Sequence, residues 1–297
     1  MRVTNKAVVD SIITNILKNR ERLDRAQTTV STQKIVNKPS DDPIAMANIM
    51  DYRKTLSGID QYTKNIAHAK THIQLYESTL TAINDLLVDA KRLASCETPG
   101  ALDEREFLAE QVKQIYDTIL QLANTRSDKG YIFSGHNTDS APFSRDEEYN
   151  ATYHGDDGEI RIIVGAGVDV EINVTGDDAF GGDVDVFGIL KDLIDAFENP
   201  DSEAGLSDVA AQTGPLSNAI DQIQNVISTV GYILVRLDTT DKQLASLRLN
   251  VENMLTGAED ADIATAIIEL QAQQTAYETS LATAARVLQS SLIDFLR

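Results

Sequence analysis

The sequence predicts a mainly α protein with a β-rich insertion: a long antiparallel helical bundle or coiled coil formed by both chain ends, with a small β subdomain in the middle. Three observations carry this reading. Apolar residues recur at alternating spacings of three and four near both ends, the pattern that keeps one helix seam facing a partner. Between them the period drops to two, as in half-buried strands. Aromatic residues make up only 5% of the 297 residues and Trp is absent, a composition suited to long helices packed on Leu, Ile and Ala.

The first seam runs through Val9, Ile12, Ile16, Leu23, Ala26 and Val30, with Asn19 as its polar member. The helix is expected to end near Lys34, before Asn37-Lys38-Pro39. Asp42-Pro43 restarts the chain, since Asp accepts from free N–H groups at a helix start and Pro suits the first helical position. A second seam then holds its register from Ile59 through Ile66, Ile73, Leu80 and Leu87 to Ala94. Thr98-Pro99-Gly100 predicts the turn that ends it. Asp103 followed by Glu106 predicts a capping box. Leu108, Val112, Ile115, Ile119 and Leu122 mark a third helix.

After Gly130 the pattern changes. Tyr131-Ile132-Phe133 is β-prone, and Gly155-Asp156-Asp157-Gly158 predicts a turn between Tyr153 and the run Ile160–Val164. Val168, Val170, Ile172 and Val174 alternate with Asp169, Glu171 and Asn173, predicting another strand. A short helix is expected near Val186–Glu198, closed by Asn199-Pro200. A long seam from Leu216 to Met254 predicts a helix stopped by Gly257, with Asp260 and Asp262 favouring a new start. The last helix carries Ile263, Ile267, Leu270, Tyr277, Leu281, Leu288 and Phe295 on its seam. The expected organisation is terminal helices at 1–41 and 257–297, a helical rod at 42–130 and 186–256, and a β-rich outer subdomain at 131–185.

The formal net charge is −20, and no Lys/Arg cluster offsets it locally, which argues against nucleic acid as a partner. No apolar run reaches membrane-spanning length, so membrane insertion is not expected. The N-terminus lacks the apolar core and small-residue cleavage site of a secretory signal, so any export is expected to proceed without a cleaved one. The one cysteine, Cys96, has no internal disulfide partner, and neighbouring Glu97 discourages its thiolate.

His68 and His72, spaced i, i+4, are weighed as metal ligands and set aside, because no acidic or Cys ligand supports them on that face. All four histidines read as surface residues. The acidic pairs Asp156-Asp157 and Asp177-Asp178 read as turn chemistry, and Gly165-Ala166-Gly167 separates strands and lacks the Lys-Ser/Thr of a phosphate loop. No catalytic, cofactor or metal site is predicted, and an enzyme is not expected.

Neither terminal helix can bury its seam alone, so each needs cover, from the chain's own bundle or from another molecule. The residues between them resemble a known family. Asn37-Lys38-Pro39-Ser40-Asp41-Asp42-Pro43-Ile44-Ala45 resembles the N-terminal signature of the flagellin superfamily, in a form nearer its hook-associated members than its filament members. Asn124-Thr125 followed by Gly130-Tyr131-Ile132-Phe133-Ser134-Gly135 is similar to a segment of the hook-associated branch. Asp260-Ala261-Asp262 and the closing Ser291–Leu296 resemble the flagellin C-terminus. A Ser-Ser-Gly element usual in filament members is replaced by Val30-Ser31-Thr32-Gln33.

This resemblance implies a structural subunit at the hook–filament junction, exported through the flagellar type III apparatus and assembled with copies of itself into a ring. It implies the first hook-associated protein and flagellin as neighbours, and a cytoplasmic export chaperone on the C-terminal helix. It further implies that the terminal helices order on assembly. A minor filament flagellin and a secreted coiled-coil adhesin or effector stay open as alternatives.

Overall fold

The structure is a computed structural model that describes residues 5–95 and 102–295. In chain order it contains α1 (Asn5–Thr32), α2 (Pro43–Ser95), α3 (Leu102–Ala123), β1 (Arg126–Ser127), β2 (Gly130–Tyr131), β3 (Phe143–Arg145), β4 (Ala151–Tyr153), β5 (Arg161–Gly165), β6 (Val168–Glu171), α4 (Val186–Glu198), α5 (Ser202–Glu259) and α6 (Ile263–Phe295). Met1–Ile59 with Ala245–Arg297 forms one compact unit, and Asp60–Leu244 forms a second.

In the first unit α1 and α6 pack along one another, and Asn19 Nδ2 donates to Ser280 Oγ across the pair. The polar member of the α1 seam therefore finds its partner inside the pair, which satisfies a group that would otherwise be costly to cover. Ala26, Val36, Ile49, Ile59, Val251, Ala266 and Ala284 are the buried apolar side chains described in this unit.

In the second unit the α2 seam is buried as its spacing predicts, from Ile66 through Ile73, Leu80 and Leu87 to Ala94. Leu216, Ala219, Ile223, Val230 and Leu237 of α5 are buried too. Lys70 of α2 pairs with Asp238 and Asp241 of α5 at 3.4 and 3.0 Å, and Gln224 donates to Asn84 at 3.4 Å. These contacts fix an antiparallel register between the two helices.

The insertion holds three separate two-stranded antiparallel pairs, β1–β2, β3–β4 and β5–β6, with no larger sheet among the described residues. Pairs this small are marginal alone; here aromatic packing supports β3–β4 and the segment that follows β2. Phe133, Phe143, Phe180 and Phe187 are buried and meet edge-on or tilted, with centroids 5.1–5.6 Å apart, and Tyr76 of α2 adds an edge contact to Phe133 at 5.3 Å. Tyr76 Oη also donates to the Ile132 carbonyl. Gln222 of α5 donates to the Ala179 and Val184 carbonyls at 3.1 Å each and accepts from Val184 N at 3.0 Å. One glutamine thus holds the stretch leading out of the insertion, which includes a single π-helical turn at Asp177–Gly181.

Several expectations shift. The strand expected from Val168 to Val174 ends at Glu171, and Ile172, Asn173 and Val174 are buried consecutively as the chain leaves it. Helix α5 starts at Ser202, well before the first seam residue, and contains Pro215. Asp201 caps its first turn by accepting from Glu203 N at 3.0 Å, and the buried Val209 and Leu216 anchor the turns on either side of the proline. Gly257 does not stop α5, which runs on to Glu259. The contact face of α3 is Ala109, Val112, Tyr116, Ile119 and Ala123, so Leu108, Ile115 and Leu122 sit at its flank. Asp103 is the second residue of α3 and cannot occupy the cap position assigned to it. His72 is half-buried against Tyr76, with ring centroids 5.2 Å apart, and burial lowers its pKa. Cys96, Glu97 and the Thr98-Pro99-Gly100 turn lie outside the described residues.

The start of α2 follows the sequence closely. Asp42 Oδ1 accepts from Ile44 N at 3.0 Å and Ala45 N at 2.9 Å, with Pro43 at the first helical position. Asp42→Ala is expected to cost about 1 kcal/mol. The measurement is faster amide exchange at Ile44 and Ala45, with the centre of α2 unchanged.

Candidate assembly surface and its signature residues

Where α1 ends, Gln33 adopts a left-handed backbone, φ 61°, and its N–H closes on Thr29 O at 2.8 Å. The chain then runs antiparallel to the connector between α5 and α6: Ile35 N donates to Glu259 O at 2.8 Å, and Ala261 N donates to Gln33 O at 2.9 Å. Glu259 is 4% exposed. Its carboxylate pairs with Lys34 and with Arg53, the latter at 2.5 Å. This junction brings the two chain ends together.

The acidic signature stands beside it. Asp41 Oδ2 accepts from Lys38 N at 2.9 Å and Asn37 N at 3.3 Å, while Asp41 N donates to Lys38 O at 2.9 Å. Asn37 Nδ2 donates to Lys34 O at 3.0 Å. Pro39 and Ser40 form the exposed tip of this tight loop. Asp41 therefore organises the loop, and Asp42 starts the helix after Pro43. Asp262 is the cap of α6, accepting from Ala264 N at 3.0 Å and from the Thr265 hydroxyl at 2.8 Å. Asp260 stands opposite Lys34 in an isolated antiparallel backbone bridge.

The second signature lies in the insertion. Asn124 Nδ2 donates to Phe143 O at 2.9 Å and Asn124 Oδ1 accepts from Phe143 N at 3.0 Å. One side-chain amide thus pairs with both backbone groups of a strand residue. Gly130 has φ 120° and lies so close to Thr138 that a methyl group there would fall 2.4 Å from its carbonyl oxygen. Gly135 has φ 65°, and a methyl group would fall 2.1 Å from Asp156 Oδ1. That carboxylate accepts from His136 N and Gly158 N, and these N–H groups hold its pKa below the ordinary range. The half-buried Tyr131 donates its N–H to Thr138 O at 3.0 Å. Phe133 O accepts from Gly176 N at 2.8 Å and the Tyr153 hydroxyl at 3.0 Å.

The terminal seams are covered unevenly. Val9, Ile12, Ile16, Leu23 and Val30 of α1 are half-buried. On α6, Leu270 and Tyr277 are half-buried, while Ile263, Ile267 and Leu281 are exposed. The side chains of Leu288 and Phe295 lie outside the described residues. The line of α6 that meets α1 passes through Ala266, Leu270, Gln273, Tyr277, Ser280 and Ala284, so the larger apolar residues at 263, 267 and 281 flank it. Small side chains on that line permit close approach, as the Asn19–Ser280 bond requires. Ile13 and Leu17 of α1 are 50% and 59% exposed, and Ile268 of α6 is 68% exposed. Periodicity located the seam but not its rotation, because Ile and Ala count equally as apolar in a heptad.

Family models agree with this arrangement. The bacterial flagellin N-terminal helical region matches residues 3–138, and the bacterial flagellin C-terminal helical region matches residues 214–296. The chain belongs to the flagellin family. Among its flagellin-family relatives, flagellar hook-associated protein 3 of Escherichia coli K12 is 29% identical over 274 residues, covering 84% of this chain and 86% of the relative. The protein of that name from Salmonella typhimurium is 24% identical over 306 residues, covering 95% and 96%. The flagellin-family fold is shared with a flagellar hook-associated protein from Vibrio parahaemolyticus, TM-score 0.68 at 23% identity over 74% of this chain and all of that one. It is shared also with the flagellar junction protein FlgL from Legionella pneumophila, TM-score 0.62 at 16% identity over 72% and 100%.

Two outcomes test the roles of these residues. Gly135→Ala is expected to disorder the insertion, because it combines left-handed backbone with a backbone clash; near-ultraviolet circular dichroism should lose its aromatic signal while helix content is kept. Asp262 has its pKa lowered by the Thr265 hydroxyl and then the Ala264 N–H. Its support of α6 is therefore full above the ordinary carboxyl value of about 4 and is lost as pH falls through the depressed value. Amide shifts of Ala264 and Thr265 should report that transition, and Asp262→Asn should abolish it.

Proposed function

We propose that this chain is a structural subunit of the bacterial flagellum that acts as an adaptor at the hook–filament junction. The observation that carries the proposal is the near full-length match to curated relatives named flagellar hook-associated protein 3. It favours a junction subunit over a filament flagellin or an adhesin. Its work is mechanical, and its chemistry is the covering of apolar helix faces.

In this reading the segments 1–41 and 257–297 form an inner coiled-coil layer, 42–130 and 186–256 the next shell, and 131–185 the outer part. Copies of the chain form a ring that meets the first hook-associated protein on one side and flagellin on the other. The exposed residues Ile13, Leu17, Ile263, Ile267, Ile268 and Leu281 support this, because apolar faces left open by the α1–α6 pair are suited to cover by neighbouring helices. Export runs through the type III apparatus without a cleaved signal, and a cytoplasmic chaperone covers α6 until assembly.

Deletion of the last twenty or so residues is the direct test. The truncated protein should stay soluble and helical, while cells making it should shed their filaments. Filament attachment by the truncated protein would overturn the mechanism. Seeded polymerisation of the purified full chain into long filaments would identify it as a flagellin instead.

A further inference from the structure

Arg105 plays no part in the assembly surface. It is the fourth residue of α3, its side chain is 0% exposed, and Nε, Nη1 and Nη2 have no hydrogen-bond partner among the described residues. Native proteins pair buried charges or bind them to ligands, because removing one ion from water costs several kcal/mol. A guanidinium left uncompensated among the described residues is therefore a position where an anion gains far more than it would at the surface.

The surroundings define the site further. Nη1 lies against the first turn of α5, so close that a methyl group at Gly205 would fall 2.2 Å from it. Arg105 thus joins the N-terminal turns of two helices, α3 and α5, both of which carry partial positive charge. Three acidic side chains of the α4–α5 segment have partners of their own. Glu198 pairs with Lys113 at 2.5 Å, Asp208 accepts from Asn199 at 3.2 Å, and Asp201 caps α5 through Glu203 N and Ala204 N. The Ala196 carbonyl, from the last turn of α4, lies 3.1 Å from the same Gly205 methyl position. Asp201 and this carbonyl oppose a large or multiply charged ligand.

We propose that Arg105 and the first turn of α5 form a binding site for a small inorganic anion. The guanidinium supplies the charge and up to five donors in a fork that suits an oxyanion or a halide. The bound ion stabilises the packing of α3, α4 and α5. This inference is independent of the junction reading.

Thermal unfolding of the full chain, followed by circular dichroism at constant ionic strength in sodium gluconate, tests it. Chloride and inorganic phosphate are titrated separately against wild type and Arg105→Met. Wild type should show a saturable rise in Tm of about 5 °C with at least one of them. Arg105→Met should show none, and in gluconate alone it should melt above wild type, because an unpaired cation has been removed. A flat wild-type response, an equal response in both proteins, or a lower melting point for Arg105→Met in gluconate would each overturn the site. Should Arg105→Met not fold, Arg105→Lys serves instead: it keeps the charge without the fork, and its half-saturating anion concentration should rise about tenfold. An unchanged midpoint in that variant would also count against the site.

Discussion

A buried carboxylate governs how the two ends of this chain meet. Glu259 is held by Lys34 and Arg53 while the backbone around it pairs Ile35 with Glu259 and Ala261 with Gln33. Both cations are partly exposed, so screening limits what each pair contributes. The cost of leaving Glu259 buried and unpaired is larger, and it makes alternative meetings of the two connectors unfavourable. The register of α1 on α6 follows from this junction, and the Asn19–Ser280 bond agrees with it.

Much of this was legible in the sequence, for identifiable reasons. Asp42-Pro43 and Asp262 are local devices whose geometry depends on the next three residues, so their roles could be read directly. The α2 seam was legible because Ile, Leu and Tyr alternate on it with charged residues. Pairing within the insertion was less so. The β3–β4 pair and the segment after β2 share an aromatic core with α2 and α4, and no local pattern says that Tyr76 will reach Ile132 or that Asn124 will substitute for a strand. On α6 the covered line shares Leu270, Tyr277 and Ala284 with the expected seam, while Ala266 and Ser280 take part in it in place of the exposed Ile267 and Leu281. Arg105 gave no signal, since a charged residue at a helix start normally reads as solvated.

The uneven cover of the terminal helices gives the structural account its energetic scale. Ile263, Ile267 and Leu281 are each a little under half exposed and Ile268 about two-thirds, and covering such a side chain contributes on the order of 1 kcal/mol. Exposed apolar faces of this kind favour association with other apolar surfaces.

The β5–β6 hairpin closes through Gly165-Ala166-Gly167, and around the Gly167 methyl position nothing stands within 4 Å. A turn with open space at its tip can be lengthened at small entropic cost, since loop closure depends only weakly on length. This makes the tip a splice point: a short epitope or a cysteine for dye labelling can be inserted there without altering the side chains of the aromatic cluster. Single subunits could then be followed by fluorescence as they arrive at the growing organelle.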